Sequence, residues 1–215
     1  MVTDPSFATC RLLCLDFDGT LVDTQPLWEA AYHAVAAKRE HMLPENWWSM
    51  IAGKSMAASA VVFDVVDPHE QAAVALSLVD EASSLASTFP PIVLPGAHKL
   101  FKRAEEAGVP VRIVTSTFTA LACVLAEAAR FPQTAVTGGD QVDNGKPAPD
   151  IYLKACRDSG VIPTEAVAIE DSPTGIAAAQ AAGLFVYALG NHRLPEGPRQ
   201  QVIGHLDEAT FTLER

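Results

Sequence analysis

The chain has 215 residues, of which 49% are hydrophobic and 19% charged. That balance suits a globular protein with one large domain, or a core carrying a smaller insert. A net charge of −11, from 15 Lys and Arg against 26 Asp and Glu, repels nucleic-acid phosphates and argues against a nucleic-acid partner. It leaves room for a small anionic substrate, because a bound cation reverses the local field. No run reaches the roughly 18 apolar residues of a membrane span, and Met1–Arg11 lacks a signal-peptide pattern. Cys10, Cys14, Cys123 and Cys156 form no CxxC pair and no zinc-finger spacing, so they read as reduced thiols of a cytoplasmic protein.

In chain order, Leu12–Leu15 is an apolar run that stops at Asp16, the mark of a buried parallel strand with polar residues beyond its C-terminal end. Between about Thr24 and Pro91 no convincing strand occurs. The segments Leu27–Glu40, Trp47–Met50, Ser55–Val66 and Glu70–Ser87 read as helices, with Pro26 at one end of the block and Pro90, Pro91 and Pro95 at the other. Ala97–Ala107 has apolar residues at a 3.6-residue period and Gly108 as its stop. Val111–Val114, Thr134–Val136 and Ala166–Ile169 repeat the apolar run ending in polar residues, and Leu184–Tyr187 is a further strand. Helices Phe118–Arg130 and Pro149–Arg157 separate them, and a fourth opens at Ser172–Pro173 and closes at Gly183.

This alternation predicts an α/β fold: a doubly wound, Rossmann-like parallel-sheet core over residues 1–22 and 93–215. A small inserted α-helical cap takes residues 24–91. The tail from Gly190 is expected to pack a last strand or helix on the core.

The segment with the most chemistry is Asp16-Phe17-Asp18-Gly19-Thr20. Ligands of open parallel sheets bind beyond the carboxyl ends of the strands. Asp16 and Asp18 are two apart and project to one side if strand geometry persists. Alone, the pattern describes a solvated turn. Thr115, Lys146 and the pair Glu170-Asp171 also follow strands, however. Convergence would join carboxylates, a hydroxyl and one ammonium, a donor set suited to Mg²⁺ and a phosphoryl group.

With Asp16–Thr20, Val114-Thr115-Ser116, Gly145–Asp150 and Ile169–Gly175 in that order, the sequence resembles the haloacid dehalogenase-like phosphatase superfamily, in its helical-cap branch. The resemblance implies an aspartyl-phosphate mechanism on a small phosphorylated metabolite. Asp16 would be nucleophile and Mg²⁺ ligand. Asp18 would be general acid and base, with its backbone carbonyl on the metal. Thr115 and the Ser116 backbone N–H would hold the phosphoryl oxygens, and Lys146 would bridge Asp16 and phosphate. Asp171 would ligate Mg²⁺, as would Glu170, directly or through water. Asp18 argues against dehalogenation, since halide leaves without a proton and an alkoxide does not.

A beta-phosphoglucomutase-like mutase is the rival activity, but its cap histidine is replaced here by Trp28, and His33 is a weak substitute. A silent binding module on the same fold is the third reading. The resemblance places Gly53 and Lys54 where cap residues face substrate; Lys54 serves equally well as a solvated lysine. Trp28, Trp47 and Trp48 offer a sugar-stacking wall or simply cap core. Asp143 and Asp150 read as turn and capping residues, Asp150 also as a possible guide for Lys146. A monomer or weak dimer is expected, and the cap points to a sugar or polyol phosphate.

Overall fold

The computed structural model describes residues 9–51, 55–190, 199–210 and 212–213. Its centre is a six-stranded sheet, whose strands are numbered here β1 (Leu12–Leu15), β2 (Val111–Val114), β3 (Val136–Thr137), β4 (Ala166–Glu170), β5 (Phe185–Leu189) and β6 (Gln200–Ile203). The order is β3-β2-β1-β4-β5-β6, and every neighbouring pair is parallel. The chain winds outward from β1 in one direction and, after β3, returns to build β4 on the other side. The switch point of this doubly wound sheet therefore lies between β1 and β4, where such folds open a binding crevice.

The α/β expectation is met, and the reason is visible in β1. Leu13 and Leu15 belong to the apolar cluster on one face, Leu12 and Cys14 to the cluster on the other. Both faces must therefore be covered by helices. On one side lie α4 (Ala97–Ala107) and α5 (Thr119–Ala128). On the other lie α6 (Asp150–Ser159) and α7 (Pro173–Ala181). The cap and stop signals are observed where the sequence put them. Gly108 takes a left-handed φ of 69° after α4, and the Ser172 side chain accepts from Gly175 N at the start of α7.

Among the described residues of 24–91, the regular elements are all helical and are joined by turns and loops: α1 (Gln25–Lys38), α2 (Trp47–Ile51), a 3-10 helix (Ala58–Phe63) and α3 (Pro68–Leu85). Asp67 caps α3 by accepting from His69 N and Glu70 N. Leu27, Ala31 and Val35 of α1 and Val74, Leu78 and Ala82 of α3 are buried in the same continuous cluster as one face of the sheet. Where this block leaves and rejoins the sheet region, Val22–Asp23 pairs antiparallel with Ile92–Val93.

Two local expectations shift, and the tail takes the strand form of the two that were open to it. The run Ser55–Val66 condenses to a short 3-10 helix that Asp64 ends at φ 58°. The strand expected at Thr134–Val136 begins only at Val136, because a 3-10 turn over Gln133–Ala135 follows Pro132. The tail supplies the edge strand β6, and Thr212–Leu213 pairs with Thr9–Cys10. Replacing Leu78, fully buried in α3, by Ala should cost about 2–5 kcal/mol of stability in urea unfolding.

Candidate active site

The site is assembled at the carboxyl edge of the sheet, on both sides of the switch point. Asp16 follows β1 directly, with its N–H donated to Ile169 O at 3.0 Å. Phe17 turns into the core and is fully buried, which sends Asp16 and Asp18 to the opposite side. The chain then reverses sharply: Gly19 N donates to Val22 O at 2.8 Å and Leu21 N to Phe17 O at 3.0 Å. Gly19 has φ +85°, and a Cβ there would lie 2.1 Å from Asp171 Oδ2. Glycine at 19 thus serves the turn and leaves Asp171 its space.

Lys146, from the loop after β3, reaches across the sheet edge. Its Nζ donates to Asp16 Oδ1 at 2.6 Å, to Glu170 Oε1 at 2.5 Å and to Val114 O at 3.1 Å. Glu170, the last residue of β4, is fully buried. Its Oε1 also accepts from Tyr152 OH at 2.6 Å, and its Oε2 from Ser172 Oγ at 3.1 Å. Asp16, Glu170 and Asp171 bring carboxylate oxygens within 4.8 Å of one another. Asp171 Oδ1 is buried without a hydrogen-bond partner.

The electrostatics follow from three carboxylates meeting one ammonium. Burial, then the Glu170 charge, hold the Asp16 carboxyl well above the usual carboxylate range, although Lys146 pulls it down. Burial and Glu170 push Asp171 up to about 7. For Lys146, burial alone would lower the pKa, but the charges and hydrogen bonds of Asp16 and Glu170 reverse this and raise it. Carboxyl groups thus outnumber the one ammonium that pairs with them, and the donors are hard oxygens. This is the environment of a divalent cation, and the unpartnered Asp171 oxygen is consistent with one.

Asp18 stands apart from that cluster. Its Oδ1 accepts from Thr24 Oγ1 and, at 3.4 Å, from Trp28 Nε1. Its Oδ2 accepts from Thr115 Oγ1 at 3.0 Å and Thr117 Oγ1 at 3.1 Å. The Asp18 carboxylate thus ties α1 to the end of β2. A cavity of about 730 Å³ opens over these groups, lined by Asp16, Asp18, Lys146 and Asp171 below and by Trp28 and Trp48 above.

Asp16, Asp18, Lys146, Glu170 and Asp171 therefore converge as the sequence suggested, and Ser116 and Trp28 line the cavity. Thr115 departs from its expected place: it is fully buried, and its hydroxyl donates to Asp18 and accepts from Thr117 N at 3.0 Å. Gly53 and Lys54 lie outside the described residues. Asp150 accepts from Asn144 Nδ2 at 2.9 Å and does not guide Lys146, whose donors go to Asp16, Glu170 and Val114. His33 lines a separate surface hollow with Trp47. Thr117 and Tyr152 join the site through Asp18 and Glu170, outside the residues that the motifs single out. The hydroxyl run Thr115-Ser116-Thr117 pointed to the first; nothing distinguished Tyr152 from a core residue.

A family model described as haloacid dehalogenase-like hydrolase matches residues 10–183. The chain belongs to that family. Among curated members, it is 33% identical over 181 residues to hexitol phosphatase A of Escherichia coli (strain K12), covering 84% of this chain and 83% of the relative. It is 29% identical to (DL)-glycerol-3-phosphatase 1, mitochondrial, of Arabidopsis thaliana, over 90% of this chain and 68% of that one. A crystal structure of CbbY from Rhodobacter sphaeroides in complex with xylulose-(1,5)bisphosphate superposes with a TM-score of 0.78 at 24% identity. The match spans 93% of this chain and 96% of that one, and the fold is shared. Family and relatives make this hydrolase a phosphatase.

Lys146→Ala would leave Asp16 and Glu170 buried without their cation. It should cost about 3–5 kcal/mol of stability in urea unfolding of metal-free protein.

Proposed function

We propose that the protein is a Mg²⁺-dependent phosphomonoester hydrolase that works through an aspartyl-phosphate on Asp16. The observation that carries this reading is the placement of Asp16: Asp16 lines the cavity, Lys146 Nζ holds one of its oxygens at 2.6 Å, and Asp18, two residues on, lines the same cavity. Asp16 attacks phosphorus, the phosphorus–oxygen ester bond breaks, and protonated Asp18 gives its proton to the departing alkoxide. Water then attacks the phosphoryl group of Asp16 and yields its proton to Asp18. Inorganic phosphate leaves and the Asp16 carboxylate is restored.

Asp16 and Asp171 are the proposed metal ligands, together with the backbone carbonyl of Asp18. Both Glu170 oxygens already accept from Lys146, Tyr152 or Ser172, so its role is to set the lysine and to add charge behind the site. When bound, Mg²⁺ would offset negative charge on the phosphoryl oxygens. Ser116 lines the cavity beside Thr117, which suits its backbone N–H to a phosphoryl oxygen. Thr115 and Thr117 are assigned to orienting Asp18.

The helical block 24–91 is read as a cap that sets specificity and excludes bulk water. The hexitol and glycerol-3-phosphate names of the relatives favour a phosphorylated sugar or polyol. No helix among the described residues is long and apolar enough to cross a membrane. All four cysteines are unpaired, which suits a reducing, cytoplasmic setting.

The test is phosphate release from a panel of sugar and polyol phosphates with Mg²⁺, with product analysis for isomerised sugar phosphate. Asp16→Asn should reduce release by about a thousandfold or more, as removal of a covalent nucleophile does. EDTA should abolish it and added Mg²⁺ restore it. An Asp16→Asn enzyme of undiminished rate, or full activity in EDTA, would refute the mechanism.

A further inference from the structure

The cavity has two unlike halves. The sheet edge contributes Asp16, Lys146 and Asp171. Among the described residues, the helical block contributes Gln25, Trp28, Tyr32, Trp48, Ile51, Met56 and Ser59. Trp48, Ile51 and Met56 pack against the large apolar cluster while only partly buried, so each also presents apolar surface to the cavity.

Most of the polar side-chain atoms of this wall already have protein partners. Tyr32 OH donates to Ser59 Oγ at 2.6 Å, and Ser59 Oγ can donate to Met56 O at 2.6 Å. The Trp28 indole N–H donates to Asp18 at 3.4 Å, which also fixes the plane of that ring. At the cavity margin, Gln25 Nε2 donates to Glu29 Oε1 at 2.7 Å.

This wall discriminates between shapes of leaving group. An open-chain polyol exposes hydroxyls all round. Entering here, it exchanges water partners for apolar surface, and each unreplaced hydrogen bond weakens binding. A ring can instead lay an apolar face, C–H or π, against the indoles and direct its polar edge elsewhere. The volume of about 730 Å³ is ample for a ring in addition to the phosphate.

Resting on the phosphatase reading above, we propose that the favoured substrate is a phosphate ester whose leaving group is a ring with an apolar face, and that open-chain polyol phosphates bind poorly. Glucose 6-phosphate and glucitol 6-phosphate are a matched pair, with six carbons each and only one of them cyclic. Phenyl phosphate and glycerol 3-phosphate extend the comparison and separate a sugar ring from an aromatic one.

Titration calorimetry on Asp16→Asn with Mg²⁺ measures binding without turnover. At least one ring ester should bind about tenfold or more tightly than both open-chain esters. Trp48→Ala in the same background should shrink that ratio to about threefold or less. Glucitol 6-phosphate binding as tightly as the ring esters, or a ring preference untouched by both Trp48→Ala and Met56→Ala, overturns the proposal. If circular dichroism shows Asp16→Asn unfolded, wild-type protein in EDTA serves as the non-reacting form for the same titrations. Ring preference in binding without phosphate release from any ester would sink the catalytic reading alone. Phosphate release with open-chain preference would sink only this one.

Discussion

The structure depends on a buried ammonium. Lys146 is 5% exposed, and a charge so placed is stable only if oppositely charged groups and hydrogen-bond acceptors surround it. Asp16, Glu170 and Val114 O meet that need. They come from the ends of β1, β4 and β2, so one side chain gathers three strand ends into a single place. Tyr152 and Ser172 complete the shell of Glu170, drawing in α6 and the cap residue of α7. Pairing does not cancel the charge, because three carboxylates share one ammonium. The fold thus gathers more carboxyl groups at its binding crevice than one ammonium can pair, and a bound cation would offset their mutual repulsion.

Asp18 is the second organising point, held in place by hydrogen bonds from both sides. Thr115 and Thr117 hold it from the sheet side, Thr24 and Trp28 from the helical side. The group assigned to proton transfer therefore senses the placement of the helical block directly. Trp28 does two things at once: its indole N–H reaches Asp18 and its ring forms part of the cavity wall. Recognition of the leaving group and orientation of the proton donor meet in one side chain. A histidine at that position would supply a different donor geometry and a titratable group.

Much of this was legible because the signals are local. Apolar runs broken by Asp16, Thr115 and Glu170 mark strand ends, and strand ends of a parallel sheet share an edge. Glycine and serine at helix termini act within a few residues, which is why α4 and α7 were found with their boundaries nearly intact. The failures also have physical causes. Tyr152 sits on an apolar helical face and looks like core until its hydroxyl is seen against Glu170. Thr115 was expected to face phosphate because the resemblance put it there, yet its hydroxyl is satisfied by Asp18. Asp150 is close to Lys146 in the chain but not in partnership, since Asn144 occupies it.

Residue types and their spacing alone determined the α/β class, the helical interruption and the identity of the charged groups. These rest on backbone preference and on the period of burial, both of which act over short stretches of chain. Only the tertiary structure decided which oxygen each donor meets, which carboxylates share the cluster and which stands aside, and what the cavity presents opposite the charges. Those outcomes depend on side-chain directions across elements distant in the chain, up to 130 residues for Asp16 and Lys146, where small rotations change a partner and no local pattern records them.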